Sequence, residues 1–113
     1  MLDLAVRESK YHNKKVCGID GLKFDSKKEA KRYWELKMLE RAGLISDLKT
    51  QVPYTLIDKS EYGREIKYLA DFVYYDVGSQ KIIVEDTKGF RTDIYKLKKR
   101  LLSERYGIII KET

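Results

Sequence analysis

The sequence predicts a single α/β domain in which a mixed central sheet is flanked by helices and preceded by a short β-hairpin. Two amphipathic helix patterns, each with capping signals, occur near residues 27–42 and 93–106. Three strand patterns lie between them, and a short aliphatic run follows the second helix. The order over about 26–112 is therefore αβββαβ, and the helical crossover predicts that the last strand joins the sheet in parallel.

The N-terminal part divides into an arm and a hairpin. Residues 1–14 are polar and mixed in charge, and we interpret them as a mobile basic arm ahead of a domain over 15–113. His12 in this arm is interpreted as a surface residue. Residues 16–24 predict a hairpin, because Asp20-Gly21 stands between two short apolar stretches.

The first helix carries a glutamate with two interpretations. Ser26 and Glu29 form a capping-box pattern, and Gly43 marks the end of the helix. Glu29 also shares a stripe with Tyr33 and Leu36, which predicts that its side chain faces the sheet. Glu29 is therefore either a helix cap or a member of a functional site.

The strand patterns place one acid in a central strand. Residues 44–57 predict extended chain, where Pro53 favours an edge strand and Gln51 is a weak candidate to orient a water or a phosphate. Residues 64–76 are apolar on both faces, as expected of a central strand. Its predicted first face is Ile66, Tyr68, Ala70, Phe72 and Tyr74. Asp71 belongs to the other face, where a buried acid needs a partner or a function.

The second helix is predicted to begin at Thr92 or Asp93 and to end before Gly107, with a buried strand at 108–110. Its predicted core stripe is Ile94, Leu97 and Leu101. A group of cations lies on or just before this helix: Arg91, Lys96, Lys98, Lys99 and Arg100. Such a group is either a solvated face or a surface that contacts phosphates without reading sequence.

The run Ile-Ile-Val-Glu-Asp-Thr-Lys-Gly at 82–89 is the most informative in the chain. Its aliphatic start predicts a buried strand, and strand alternation places Asp86 and Lys88 on one side. Together with Asp71, this gives two carboxylates suited to a hard divalent cation and one ammonium. Such a cation polarises a phosphate and activates water, while the ammonium stabilises developing negative charge.

Asp71, Asp86-Thr87-Lys88 and the αβββαβ order resemble the PD-(D/E)XK nuclease superfamily. The resemblance is to its small phage-associated endonucleases and Holliday-junction-resolvase-like nucleases, whose first helix resembles residues 24–30 around Glu29. The leading proline of the motif is replaced by Ala70.

The resemblance implies a restriction-endonuclease-like core and a Mg²⁺-dependent DNA endonuclease, with Mn²⁺ able to substitute. Asp71 and Asp86 would bind the metal, with the Thr87 carbonyl as a further ligand, and Lys88 would position water or stabilise charge. Glu29 would bind metal or act as a base. Structure-selective or weakly sequence-specific cleavage is expected, and a homodimer is compatible with it.

Composition supports a polyanion partner and excludes several classes. Lys and Arg number 24 against 18 Asp and Glu, giving a net charge of +6, which favours a polyanion, most simply nucleic acid. One cysteine (Cys17) and one histidine exclude a zinc finger. The sequence contains no run of about 18 apolar residues, so no membrane span is expected. The single cysteine fits a reducing cytoplasm. The resemblance to phage-associated nucleases implies the cytoplasm of a bacterium or of a phage-infected host cell.

Two alternatives remain open at the level of sequence. A non-catalytic nucleic-acid-binding module on the same fold would explain the charge, but its two aspartates would repel phosphate in the absence of a metal. RNA is the weaker choice of substrate, because single-strand RNA modules expose aromatic side chains for stacking and the tyrosine-rich strand here is predicted to be buried.

Overall fold

The computed structural model describes residues 16–17, 22–87 and 92–113. The predicted arm at 1–14 and the Asp20-Gly21 turn lie outside these residues. In chain order the elements are β1 Val16–Cys17, β2 Lys23–Phe24, α1 Lys27–Arg41, β3 Ile45–Ile57, β4 Ile66–Asp76, β5 Lys81–Asp86, α2 Asp93–Tyr106 and β6 Ile110–Glu112. The predicted element order is confirmed.

The main sheet has the strand order β3-β4-β5-β6. The first two pairings are antiparallel and the last, between β5 and β6, is parallel. Strands β1 and β2 form a separate antiparallel hairpin. The chain is therefore a small α/β domain with a mixed four-stranded sheet and two helices. Pro53 lies in β3, an edge strand, as its missing N–H predicts. Within the described residues, neither helix is long and apolar enough to cross a membrane.

Helix α1 is capped as its sequence predicts. The Ser26 hydroxyl accepts a hydrogen bond from the backbone N–H of Glu29 at 3.1 Å, and Gly43 follows the helix with φ 79°. The buried face comprises Glu29, Ala30, Tyr33 and Leu36. The three apolar residues of this face pack with Phe24, Ile45, Phe72 and Tyr74 in one core cluster, which we call the α1-side cluster.

Helix α2 has the predicted limits but a different buried face. The Thr92 hydroxyl accepts from the N–H of Tyr95 at 3.0 Å, and Gly107 ends the helix in the left-handed region. The predicted core stripe is wrong, because Ile94 is 68% exposed and Leu97 is 57% exposed. The helix is rotated so that Tyr95 and Leu102 are buried instead.

The ring of Tyr95 explains that rotation. It is a large apolar group that fills the space between helix and sheet, while its hydroxyl donates to Glu112 Oε2 at 2.8 Å. Leu101 is only half-buried beside the resulting α2-side cluster: Leu56, Tyr68, Ala70, Val73, Val84, Tyr95, Leu102 and Ile110. The last strand also starts two residues later than predicted, since Ile109 is 83% exposed and pairing runs from Ile110 to Glu112.

Strand β4 changes face at Asp71. Tyr68 and Ala70 pack in the α2-side cluster, whereas Phe72 and Tyr74 pack in the α1-side cluster. A regular strand would keep these four residues on one face, so the predicted alternation is wrong at this point. The neighbouring strand β3 is irregular at the same level, where Gln51 has φ 54°. A left-handed, non-glycine residue turns the strand locally, as β-bulges do.

Candidate functional site

Two of the predicted metal ligands lie at equivalent positions of neighbouring strands. The last paired residues of β4 and β5 are Phe72 and Glu85. One position further along each strand are Asp71 and Asp86, which are 8% and 0% exposed. Since neighbouring strands are about 4.8 Å apart, the register brings both acids to the end of the β4–β5 pairing.

The edge strand brings a glutamine to the same level. Thr50 pairs with Phe72 and Val52 with Ala70, so Gln51 is the residue of β3 that stands opposite Asp71. The amide nitrogen of Gln51 donates to Glu29 Oε2 at 2.9 Å. Glu29 is buried on the sheet side of α1. Gln51 thus holds the helix acid and stands opposite one of the strand acids, a role that one glutamine in a sequence signals only weakly.

Hydrogen bonds fix the orientation of both aspartates. Asp71 Oδ2 accepts from the Thr87 backbone N–H at 2.9 Å and from the Thr87 hydroxyl at 3.1 Å. Asp86 Oδ2 accepts from the hydroxyl of Tyr68. Thr87 thereby holds Asp71, and Tyr68 of β4 holds Asp86.

The pKa of the Tyr68 phenol is affected by the charges of both Asp71 and Asp86. Burial raises the pKa of Tyr68, and the hydrogen bond to Asp86 and the negative charges of Asp86 and Asp71 raise it further. The phenol therefore remains a protonated donor throughout the physiological range. Both carboxylates lie close enough to act electrostatically on the same hydroxyl group.

The donor set suits a small, hard cation. Mg²⁺ is commonly bound through one or two carboxylates, with waters and substrate phosphates completing its shell. Asp71, Asp86 and the carbonyl of Thr87 supply oxygen atoms of this kind. Among the residues that the structure describes, no group of three or more His, Cys, Asp or Glu side chains is arranged to hold a metal. The predicted site is thus one of two carboxylates, and direct ligation by Glu29 stays a prediction.

Two predicted site residues, Lys88 and Arg91, lie outside the described residues. Their predicted roles, near the reacting phosphate and on the DNA backbone, stay predictions. Thr87, the residue before Lys88, is buried beside Asp71.

Glu85, the acid next to Asp86, has a different environment. Arg32 donates to both its carboxylate oxygens, from Nε at 2.8 Å and from Nη2 at 2.6 Å, and the Tyr74 hydroxyl donates to Oε2. Burial would raise the pKa of Glu85, but the hydrogen bonds from Arg32 and Tyr74 lower it below its ordinary value. This ion pair, in which Glu85 is fully buried and Arg32 is partly exposed, ties β5 to α1 and keeps Glu85 charged.

The sequence analysis missed this pair. The only local sign was that Arg32 borders the stripe formed by Glu29, Tyr33 and Leu36. The two adjacent acids therefore have different partners. Glu85 binds Arg32 of α1, whereas Asp86 binds Tyr68 of β4.

The predicted cationic surface of α2 is partly neutralised by neighbouring acids. Lys99 Nζ lies 3.1 Å from Glu112 Oε2, and Arg100 Nε lies 3.9 Å from Glu104 Oε2. The other two predicted lysines of this helix, Lys96 and Lys98, have no acidic partner within the described ranges.

The comparison with protein families gives one match. A family model described as Protein of unknown function (DUF1064) matches residues 8–112. No curated protein and no solved structure matches the chain significantly.

Proposed function

The chain belongs to the DUF1064 family, and we propose that it is a Mg²⁺-dependent DNA endonuclease built on a restriction-endonuclease-like core. One observation carries the proposal: Asp71 and Asp86 are buried at opposing positions of two neighbouring strands, where the pairing of β4 with β5 stops. Two adjacent carboxylates are costly to bury unless they are paired or bind an ion. The αβββαβ order and the Asp86-Thr87-Lys88 sequence further support this choice.

Asp71 and Asp86 would hold the cation, with the Thr87 carbonyl as a further oxygen ligand. The cation would polarise the scissile phosphate and activate the attacking water. Tyr68 and Thr87 keep the two carboxylates in fixed orientations through their hydrogen bonds. A ligand held in place in advance loses little entropy when the ion binds, and such outer partners typically change metal affinity by about 10–100-fold.

Glu29 and Lys88 would act on the water and on the phosphate charge. Gln51 holds the Glu29 carboxylate at the level of Asp71, where it can accept a proton from the attacking water. The ammonium of Lys88 would stabilise negative charge that develops on the phosphate. The proposed reaction is hydrolysis of a phosphodiester bond, leaving a 5′-phosphate.

Metal removal tests this function directly. We expect the protein to nick supercoiled plasmid or cut a four-way junction when Mg²⁺ or Mn²⁺ is present, and to do neither with chelator. Faster cleavage of the junction than of a linear duplex would establish structure selectivity. DNA binding without cleavage under any metal condition would instead identify a non-catalytic binding module. Cleavage that persists in chelator would overturn the metal mechanism.

The Glu29→Gln variant separates the two interpretations of this residue. Glutamine keeps the shape and an acceptor for the Gln51 amide but removes the charge. We expect cleavage to slow by about 10²-fold, a typical contribution of a general base, while thermal unfolding changes little. Gel-based cleavage rates at saturating Mg²⁺ measure this. Wild-type rates would restrict Glu29 to capping and packing α1.

A further inference from the structure

A basic cleft opens beside the candidate site, on the α1 side of the domain. Its volume is about 220 Å³. The lining residues are Lys28, Lys31, Arg32, Glu35, Thr87 and Thr113. Thr87 connects the cleft to the site, because the same residue donates two hydrogen bonds to Asp71. A ligand in this cleft would therefore contact Thr87, the residue that holds Asp71.

The cations of the cleft are not equally available to a ligand. Arg32 is occupied by Glu85 and also donates to Glu35 at 3.1 Å. Lys28 and Lys31 are exposed and have no acidic partner in the part of the chain that the structure describes. Being three residues apart on one helix, they share a face, with Cβ atoms about 5–6 Å apart.

The position of Lys28 is unfavourable for the helix itself. Lys28 lies in the first turn of α1, where the helix dipole disfavours a cation by about 0.3–1 kcal/mol. No ion pair offsets this within the described ranges. An anionic ligand in the cleft would give Lys28 a partner of opposite charge. In contrast, two of the predicted phosphate contacts on α2, Lys99 and Arg100, already have acidic partners.

We propose that the DNA backbone next to the scissile phosphate lies in this cleft and contacts Lys28 and Lys31. The proposal rests on the nuclease function proposed above and names the surface that this function uses. In this proposal α1, and not α2 as the sequence suggested, is the principal phosphate-binding helix. Lysine contacts of this kind add affinity that depends on salt and not on base sequence.

A matched pair of double variants tests the assignment. Binding of a labelled duplex is measured by fluorescence anisotropy in chelator over a range of salt concentrations. The logarithm of affinity falls with the logarithm of salt by about 0.9 per phosphate contact. We therefore expect Lys28→Gln with Lys31→Gln to weaken binding and reduce the slope by about 1.8. The control, Lys96→Gln with Lys98→Gln, removes the same charge from α2 and should keep the wild-type slope.

The outcomes separate this inference from the nuclease function. An unchanged slope in the α1 variant, or an equal loss in both variants, overturns the cleft assignment even if plasmid is cleaved. A selective loss in the α1 variant supports the cleft even if no cleavage is ever found. A wild-type protein that binds no duplex at any salt concentration overturns the assignment as well. All four lysines are at least partly exposed, so thermal unfolding should match wild type in both variants.

Discussion

Replacing either strand aspartate with asparagine should abolish cleavage and leave the fold intact. We expect Asp71→Asn and Asp86→Asn each to lower the cleavage rate by at least about 10³-fold, since the cation contributes several kcal/mol of charge stabilisation and about 1.4 kcal/mol equals one factor of ten. Asparagine retains an oxygen that can accept from Thr87 or Tyr68. In chelator, both variants should be at least as stable as wild type, because two neighbouring like charges become one.

The control for this experiment is Asp58→Asn. Asp58 is an exposed aspartate whose only described ion pair, with Arg105, lies on the surface at 3.3 Å. It should cleave at the wild-type rate. Residual activity above about one tenth of wild type in either site variant would mean that the two aspartates do not share a catalytic ion. Unfolding of a variant would be detected by its circular dichroism spectrum, so loss of fold and loss of chemistry are distinguished.

Breaking the Arg32–Glu85 pair should cause the largest loss of stability. Arg32→Met leaves a charged carboxylate buried, and the hydrogen-bond donors that remain to it among the described residues are the hydroxyls of Tyr74 and Thr113. Removing one partner of a buried ion pair typically costs about 3–5 kcal/mol. Urea unfolding followed by circular dichroism measures this. For a domain of this size, such a loss is a large fraction of the total free energy of unfolding.

A second variant shows whether the cost comes from the stranded charge. Adding Glu85→Gln to Arg32→Met removes that charge and keeps an acceptor for Tyr74, so the double variant should recover much of the lost stability. Arg100→Met is the matched surface control, and its effect should stay within about 0.5 kcal/mol. A loss below about 1 kcal/mol for Arg32→Met would contradict a structural role for this pair.

The order of elements followed from local signals because caps, turns and hydrophobic periods are local properties. Ser26, Gly43, Thr92 and Gly107 mark helix ends through hydrogen bonds and backbone angles that involve only near neighbours. The prediction of the buried face of α2 was wrong, because that face depends on which side chain fits against the sheet. Tyr95, an amphipathic residue with a distant partner in Glu112, competes there with Ile94.

The site shows the same division between local and long-range information. The motif identified Asp71 and Asp86, and the strand register brings them to one level. The hydrogen-bond partners of the buried acids come from other elements. Tyr68 donates to Asp86, Gln51 to Glu29 and Arg32 to Glu85. No periodicity encodes such pairs, since each depends on tertiary packing. The break in alternation at Asp71 also depends on the conformation of a neighbouring strand.

Direct titration of Mn²⁺ into the protein without DNA, followed by calorimetry, tests the central claim most directly. The account predicts one ion bound per chain, with binding lost in both Asp71→Asn and Asp86→Asn and retained in Asp58→Asn. Mn²⁺ binding that survives in both site variants, or no binding by wild-type protein at millimolar Mn²⁺ with or without uncleaved DNA, would contradict a cation shared by these two carboxylates.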